Sequence, residues 1–322
     1  VPLVAALPEQ LRQGALNMLG NMHQRVGDDQ TAMPGDPATD GQGPTRRAWG
    51  RLISTDMDVS QGGTVNQNSS GRLNGFQAGT DLWANTHWNA GVYVGQLDGD
   101  INVSGFARGI ANLGVGYNDQ RSQYLGGYAT WHNDTGLYVD SVLQASRDRY
   151  EINPITNFSV NGKASTLLAS VEVGQSFNLD AAGRWKIEPQ FQLVHEHVSV
   201  DDLYLTGATL VQQHPDSGWL ARLGVRVKGS FATGAGELQP YARVNVYRAG
   251  SGTDVASFIG PAAITAISSA TGSTSTEVAG GATLFLNKTT SLYGEIGKLW
   301  DSGGDASVRS GVQGSLGVKV RW

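Results

Sequence analysis

Cysteine is missing from all 322 residues, which excludes disulfides and thiolate metal sites. No apolar run approaches the roughly 18 residues that a transmembrane helix needs. No charged start followed by a hydrophobic stretch marks a signal peptide, because "VPLVAAL" (1–7) is too short. An initiating Met is lacking, so the chain is expected to be a piece of a longer precursor. Charged residues make up only 16%, and the net charge of −5 argues against a general nucleic-acid binder. Neither HExxH, G-x-S-x-G nor a Walker loop occurs, so no catalytic motif presents itself. These absences leave open a protein that crosses a membrane with strands, whose signal per segment is weak.

What the sequence does have is glycine, at 44 residues, and strict alternation. In the last stretch Val312, Gly314, Leu316, Val318, Val320 and Trp322 form one face. Gly311, Gln313, Ser315, Gly317, Lys319 and Arg321 form the other. "WKIEPQFQLVHEHV" sets Trp185, Ile187, Phe191 and Leu193 against Lys186, Glu188, Gln190 and Gln192. "WLARLGVRVKG" and "LQPYARVNVY" repeat the pattern, with Arg222, Arg226 and Arg243 on their polar faces. About twelve such segments of roughly 10–15 residues follow Arg46, longer than ordinary strands and suited to tilted membrane-crossing ones.

Connections differ in length. "NDTG" (133–136), "DAAGR" (180–184), "TGAGE" (233–237) and "NKTT" (287–290) are short, whereas 60–71, 201–217 and about 251–275 are long. Trp88, Trp131, Trp185 and Trp322 stand at the short-turn ends, as an interfacial aromatic girdle would. A soluble sandwich can also have uneven loops and a polar second face. The number and length of the segments favour an all-β fold closed as a twelve-stranded antiparallel transmembrane barrel.

Residues 8–27 read as an amphipathic helix. Leu11, Ala15, Met18, Met22 and Val26 form its apolar stripe, Pro8 sits at the first position and Gly27 at the stop. Its length is roughly 28 Å. Arg12, Gln13, Asn17, Asn21 and Gln24 make a polar face suited to a wet lumen, although a stripe alone would also suit a surface-packed helix. Residues 28–45, rich in Asp, Gly and Pro, read as a linker. The expected organisation is therefore a pore-spanning helix (1–27), a linker (28–45) and a barrel (46–322).

"RAWGRL" (47–52), "GGYATWHNDTGLYVDSVLQASR" (126–147), "IEPQFQL" (187–193), "LQPYARVNV" (238–246) and the terminal aromatic strand resemble the translocator domain of autotransporters, the pertactin group above all. The resemblance implies an outer-membrane barrel of a Gram-negative bacterium that exports or anchors an N-terminal passenger, a virulence factor, past a helix in its pore. It implies four partners: the chain's own passenger, periplasmic chaperones, the barrel assembly machinery and outer-membrane lipid. That machinery would read the last strand through Leu316, Val318, Val320 and Trp322, with Trp322 where the family usually has Phe. The barrel is expected to be a monomer that binds no nucleic acid and no cofactor.

Asp140, Glu172, Glu188 and Glu295, with Arg222, Arg226, Arg243, Lys319 and Arg321, are expected to line the pore. They could hold the helix or hydrate a passing chain; a merely solvated lining with local ion pairs would contribute little. Some members of the family cut their passenger at an Asn inside the barrel. Asn17 and Asn21 are the candidates here, but the Asn-Asn pair of the self-cleaving subgroup is absent. His195 and His197, two apart on one face, could bind a metal, yet that face reads as lipid-facing, so no metal or catalytic residue is assigned. A barrel enzyme or a porin-type channel is the alternative reading.

Overall fold

A computed structural model describes residues 1–29 and 46–322. Most of the expected linker, residues 30–45, lies outside the described residues. Twelve long antiparallel strands follow one another around a closed ring. They are β1 (Arg47–Gln61), β2 (Asn68–Ala84), β3 (Trp88–Ala107), β4 (Ile110–His132), β5 (Leu137–Pro154) and β6 (Val160–Gln175), then β7 (Trp185–Val200), β8 (Gly218–Gly229), β9 (Gly236–Ala249), β10 (Ser273–Phe285), β11 (Thr290–Gly304) and β12 (Ala306–Arg321). Each pairs with the next, and β12 pairs with β1, so no edge is left unpaired.

Alternation fixes what faces where. Leu52, Phe76, Leu125, Leu143, Leu223, Val244 and Leu316 are exposed on the outer wall, while their polar sequence neighbours point inward. Leu316 is 62% exposed and Lys319, on the other face of the same strand, 1%. The parity of β12 flips once, at a bulge between Ser310 and Gln313, where the Val312 amide donates to Asp56 at 3.1 Å. Trp88, Trp185 and Trp322 are exposed at the short-turn end, and Trp219 and Trp300 form a matching set at the other.

The abundant glycine has a packing role. In register pairs such as Tyr93–Gly126, Tyr138–Gly174, Tyr150–Gly162 and Tyr293–Gly317, an inward tyrosine lies across the neighbouring strand's glycine. A Cβ on Gly126 would stand 2.1 Å from the Tyr93 ring. Each ring covers the backbone where a side chain is missing, and thereby ties adjacent strands.

The short-turn side is as expected. On the other side the long connections are not coil. Leu203–Leu205, Thr209–His214, Gly252–Ile259 and Ile264–Thr271 form a separate four-stranded sheet over the barrel mouth. Two connections on this side are tight: Arg108 and Gly109, with φ of 53° and 76°, turn β3 into β4 in two residues, and Asp305 alone joins β11 to β12.

The helix departs from the sequence reading at its start and by a break in its course. α1 runs Pro2–Leu19, so it starts six residues before Pro8, which lies inside it. The segment Leu3–Leu7 is apolar all round because the mouth sheet buries it: Leu203, Val211, Ala256 and Ile267 belong to the same cluster. α1 breaks at Gly20 (φ 58°); α2 (Met22–Val26) restarts after Asn21 and stops at Gly27 (φ 65°), as expected.

Candidate functional site

The site is the occupied lumen. α1 enters among the loops of the mouth sheet and α2 ends near the short turns. Its contacts with the wall form three levels.

At the outer level Arg12 donates to Asp254 of the mouth sheet at 2.7 Å and to the Asp216 carbonyl at 3.1 Å, and also pairs with Glu9. Glu196 lies 3.7 Å away. Gln10 is fully buried: it donates to Ser69 at 2.9 Å and accepts from Asn118 at 2.9 Å. Gln13 donates to Glu9, and Asn17 to the Gln13 carbonyl, so neither reaches the wall by these bonds.

At the middle level the helix breaks, and the wall satisfies the freed backbone groups. Arg51 donates to the Met18 carbonyl at 2.8 Å, Gln77 to the same oxygen at 3.1 Å, and Gln192 to the Gly20 carbonyl at 3.1 Å. Glu172 accepts from the Met22 amide at 3.1 Å. Asn21 caps α2: its side chain accepts from the Gln24 amide at 2.9 Å, and the Gln24 side chain accepts in return from the Asn21 amide. Gly95 keeps the wall close here, because a Cβ would meet the Met18 sulfur at 2.6 Å.

At the inner level charge is matched in sign. The cationic end of the helix meets acidic wall residues. Arg25 donates to both oxygens of Asp140, His23 contacts Glu188 at 2.7 Å and Gln24 donates to Glu295 at 2.8 Å. The following acids meet basic wall residues. Asp28 accepts from Arg226 at 2.9 Å and Lys228 at 3.2 Å; Asp29 accepts from Lys319 at 3.1 Å and from Arg321. Asp28 follows the helix and belongs to no strand. Burial alone would raise its carboxyl, but Arg226, Lys228 and His23 outweigh burial and hold it well below the usual carboxylate range.

Every expected pore-lining residue thus faces the lumen. Asp140, Glu188, Glu295, Arg226, Lys319 and Arg321 touch the helical segment or the two residues after it, and Glu172 bonds its backbone. Arg222 and Arg243 join wall to wall, through Glu172 at 3.2 Å and Glu277 and Glu295 at 2.6 Å. Sequence reasoning missed Gln10, His23, Arg25, Asp28, Arg51 and Asp254. Only His23 and Arg25 carried a local signal, as bases in a last helical turn.

The lumen is not full. A cavity of about 130 Å³ remains between the helix break and the wall from β7 round to β1, bordered by Asn17, Gln24, Arg222, Glu277 and Gln313. His195 lies outside, stacked on Trp219 with ring centroids 4.5 Å apart, and His197 is exposed. Among the described residues no group of three or more metal-ligating side chains converges.

Comparison with known proteins agrees with this architecture. A family model described as the autotransporter beta-domain matches residues 48–297. The pertactin autotransporter of Bordetella bronchiseptica is 31% identical over 218 residues, covering 64% of this chain, which spans only 22% of that relative's length. The β domain of the Bordetella autotransporter BrkA superposes with a TM-score of 0.60 at 20% identity, covering 87% of this chain and all of that one. The translocator domain of NalP from Neisseria meningitidis gives 0.67 at 12% identity, covering 100% of this chain and 99% of that one. At these identities the two structures speak for the fold alone.

Proposed function

Because the chain belongs to the autotransporter β-domain family, and so is an outer-membrane translocator barrel of a Gram-negative bacterium, we propose that its helical segment is the tail of an exported passenger, kept in the pore after transport. A passenger's own activity, including any part in virulence, would lie in the exported part and not in the barrel.

The observation that carries this reading is the polarity of the helix. Its N-terminus stands among the loops of the mouth sheet, and Asp28 stands at the short-turn end, where β1 begins. A chain continuing upstream of Val1 would emerge on the loop side. An epitope placed before Val1 should therefore be cut by protease added to intact cells. An epitope protected until the outer membrane is opened would overturn the reading.

Domains of this family are typically non-enzymatic, and we read this one so. The Asn21 side-chain oxygen is engaged as a helix cap, and the Met22 amide bonds to Glu172, contacts that hold this peptide in place. Folded protein incubated at neutral pH should keep its full mass. Release of a fragment ending at Asn17 or Asn21 would establish self-cleavage instead. The outward residues Leu316, Val318, Val320 and Trp322 are the features of β12 that the barrel assembly machinery would read, after periplasmic chaperones deliver the chain.

A further inference from the structure

The outer wall carries one dense group of cations, only one of which has a side-chain partner among the described residues. On β4, β5 and β6 the outward residues Arg121, Arg149 and Lys163 are register neighbours: Arg121 stands opposite Arg149, and Arg149 opposite Lys163. Arg147 faces outward two residues from Arg149, opposite Gln123 and Ser165. All four are exposed. Arg121 is paired with Asp98 at 2.6 Å. The side chains of Arg147, Arg149 and Lys163 have no ion pair or hydrogen bond among the described residues, while the Lys163 carbonyl accepts from the Asp201 amide at 3.0 Å. Like charges directly opposite destabilise a sheet, and the carboxylates of the next outward row, Asp119 and Glu151, stand diagonally to these cations rather than opposite them. Other outward cations are provided for: Arg72 bonds to Asp56 at 2.6 Å, Arg309 stands opposite Asp58, and Lys298 lies 5.6 Å from the Trp300 ring.

The height of the group identifies its surroundings. Arg121 lies ten residues along β4 from Trp131 of the short-turn girdle. At about 3.3 Å per residue and a tilt of about 40°, that is roughly 25 Å above the girdle, the height of an outer-membrane barrel's apolar band. The exposed residues Leu125, Leu143 and Leu167 fill the interval on these three strands. The cations therefore stand where lipid tails end on the loop side, level with the headgroups of the outer leaflet. The next outward row is acidic, with Asp100 opposite Asp119 and Asp119 opposite Glu151. That row repels an anion arriving from water and leaves the lipid side as the open approach.

We propose that Arg147, Arg149 and Lys163, with Arg121, form a docking site for the phosphate groups of an anionic lipid in the outer leaflet. Guanidinium forks suit phosphate oxygens bidentately, and basic clusters beside an apolar surface recruit anionic headgroups. Strands about 4.8 Å apart spread the row over roughly 10 Å, enough for a headgroup with more than one phosphate. The lipid neutralises the repulsion that the row otherwise carries.

The test compares binding of diphosphoryl lipid A and of its dephosphorylated form to the full chain in detergent micelles, by native mass spectrometry. The triple variant Arg147→Gln/Arg149→Gln/Lys163→Gln should bind diphosphoryl lipid A about tenfold or more weakly. The dephosphorylated lipid should bind both proteins equally weakly. Arg184→Gln, at an exposed short turn, should leave binding unchanged. The inference rests on the outer-membrane placement, which heat-modifiable migration of each variant reports separately. Where the triple variant does not fold, Arg149→Gln alone carries the comparison, with a loss of about threefold. Undiminished binding by the folded variant, or equal binding of the two lipids to the unsubstituted chain, would overturn the proposal. So would displacement of the lipid by an equal concentration of inorganic phosphate, which would mark a free-anion site.

Discussion

Arg25 donates from one guanidinium nitrogen to both carboxylate oxygens of Asp140, at 2.7 and 2.8 Å, with both side chains buried inside the barrel. The residues are 115 apart in the sequence, so this contact ties the end of the helical segment to the wall near its short-turn end. Removing one partner leaves a buried charge without its counterion, at a cost of about 3–5 kcal/mol. Asp140→Asn should therefore lower the urea midpoint of the folded protein. The double variant Arg25→Met/Asp140→Leu should recover most of the loss, because two apolar groups leave no orphaned charge. A double variant no more stable than the single one would mean that the pair is not what anchors α2.

The two faces of β12 give a second prediction. Leu316 is exposed on the outer wall, and Gln313 faces the lumen, where it donates to Glu277. Leu316→Arg should cost about 2–4 kcal/mol of insertion if the site lies near the bilayer midplane. Gln313→Arg adds a cation beside Glu277, at the border of the lumen cavity, and should be tolerated. Folded fractions in vesicles, read from heat-modifiable migration, compare the two directly. Equal losses at both positions would contradict the face assignment.

Trp322 exchanges two backbone hydrogen bonds with Arg46, at 3.1 and 3.2 Å, and its ring is exposed beside the short-turn girdle. The backbone closure does not need the ring. Trp322→Ala should therefore leave the stability of folded protein nearly unchanged but lower the folded yield in cells, where β12 is proposed to be read during assembly. Unchanged yield would remove that role; a matching loss on refolding in vitro would make the ring a stability element.

How much was legible in the sequence follows from which contacts are local. The faces of β7 could be read because Glu188, Gln190 and Gln192 alternate with Phe191 and Leu193, and the barrel keeps that period. The start of α1 could not. Leu3–Leu7 has no polar face, and what buries it is a sheet made from residues two hundred positions away. The break at Gly20 was hidden because the stripe Met18, Met22, Val26 runs on across it. The pairs that fix the helix, Arg12 with Asp254 and Arg25 with Asp140, join distant residues that share no pattern. The wall residues were legible one by one as inward charges, but their partners were not.

The central claim is that the helical segment occupies the pore and restricts it. Among the described residues the helix fills much of the lumen, and one cavity beside it measures about 130 Å³. A ring of twelve strands lies between filled barrels of about eight strands and open porins of 16–18, so an empty lumen should carry a measurable current. Planar-bilayer conductance of the full chain and of a chain lacking residues 1–27 tests this most directly. The account predicts a several-fold rise when those residues are removed. Equal conductance in the two would contradict it.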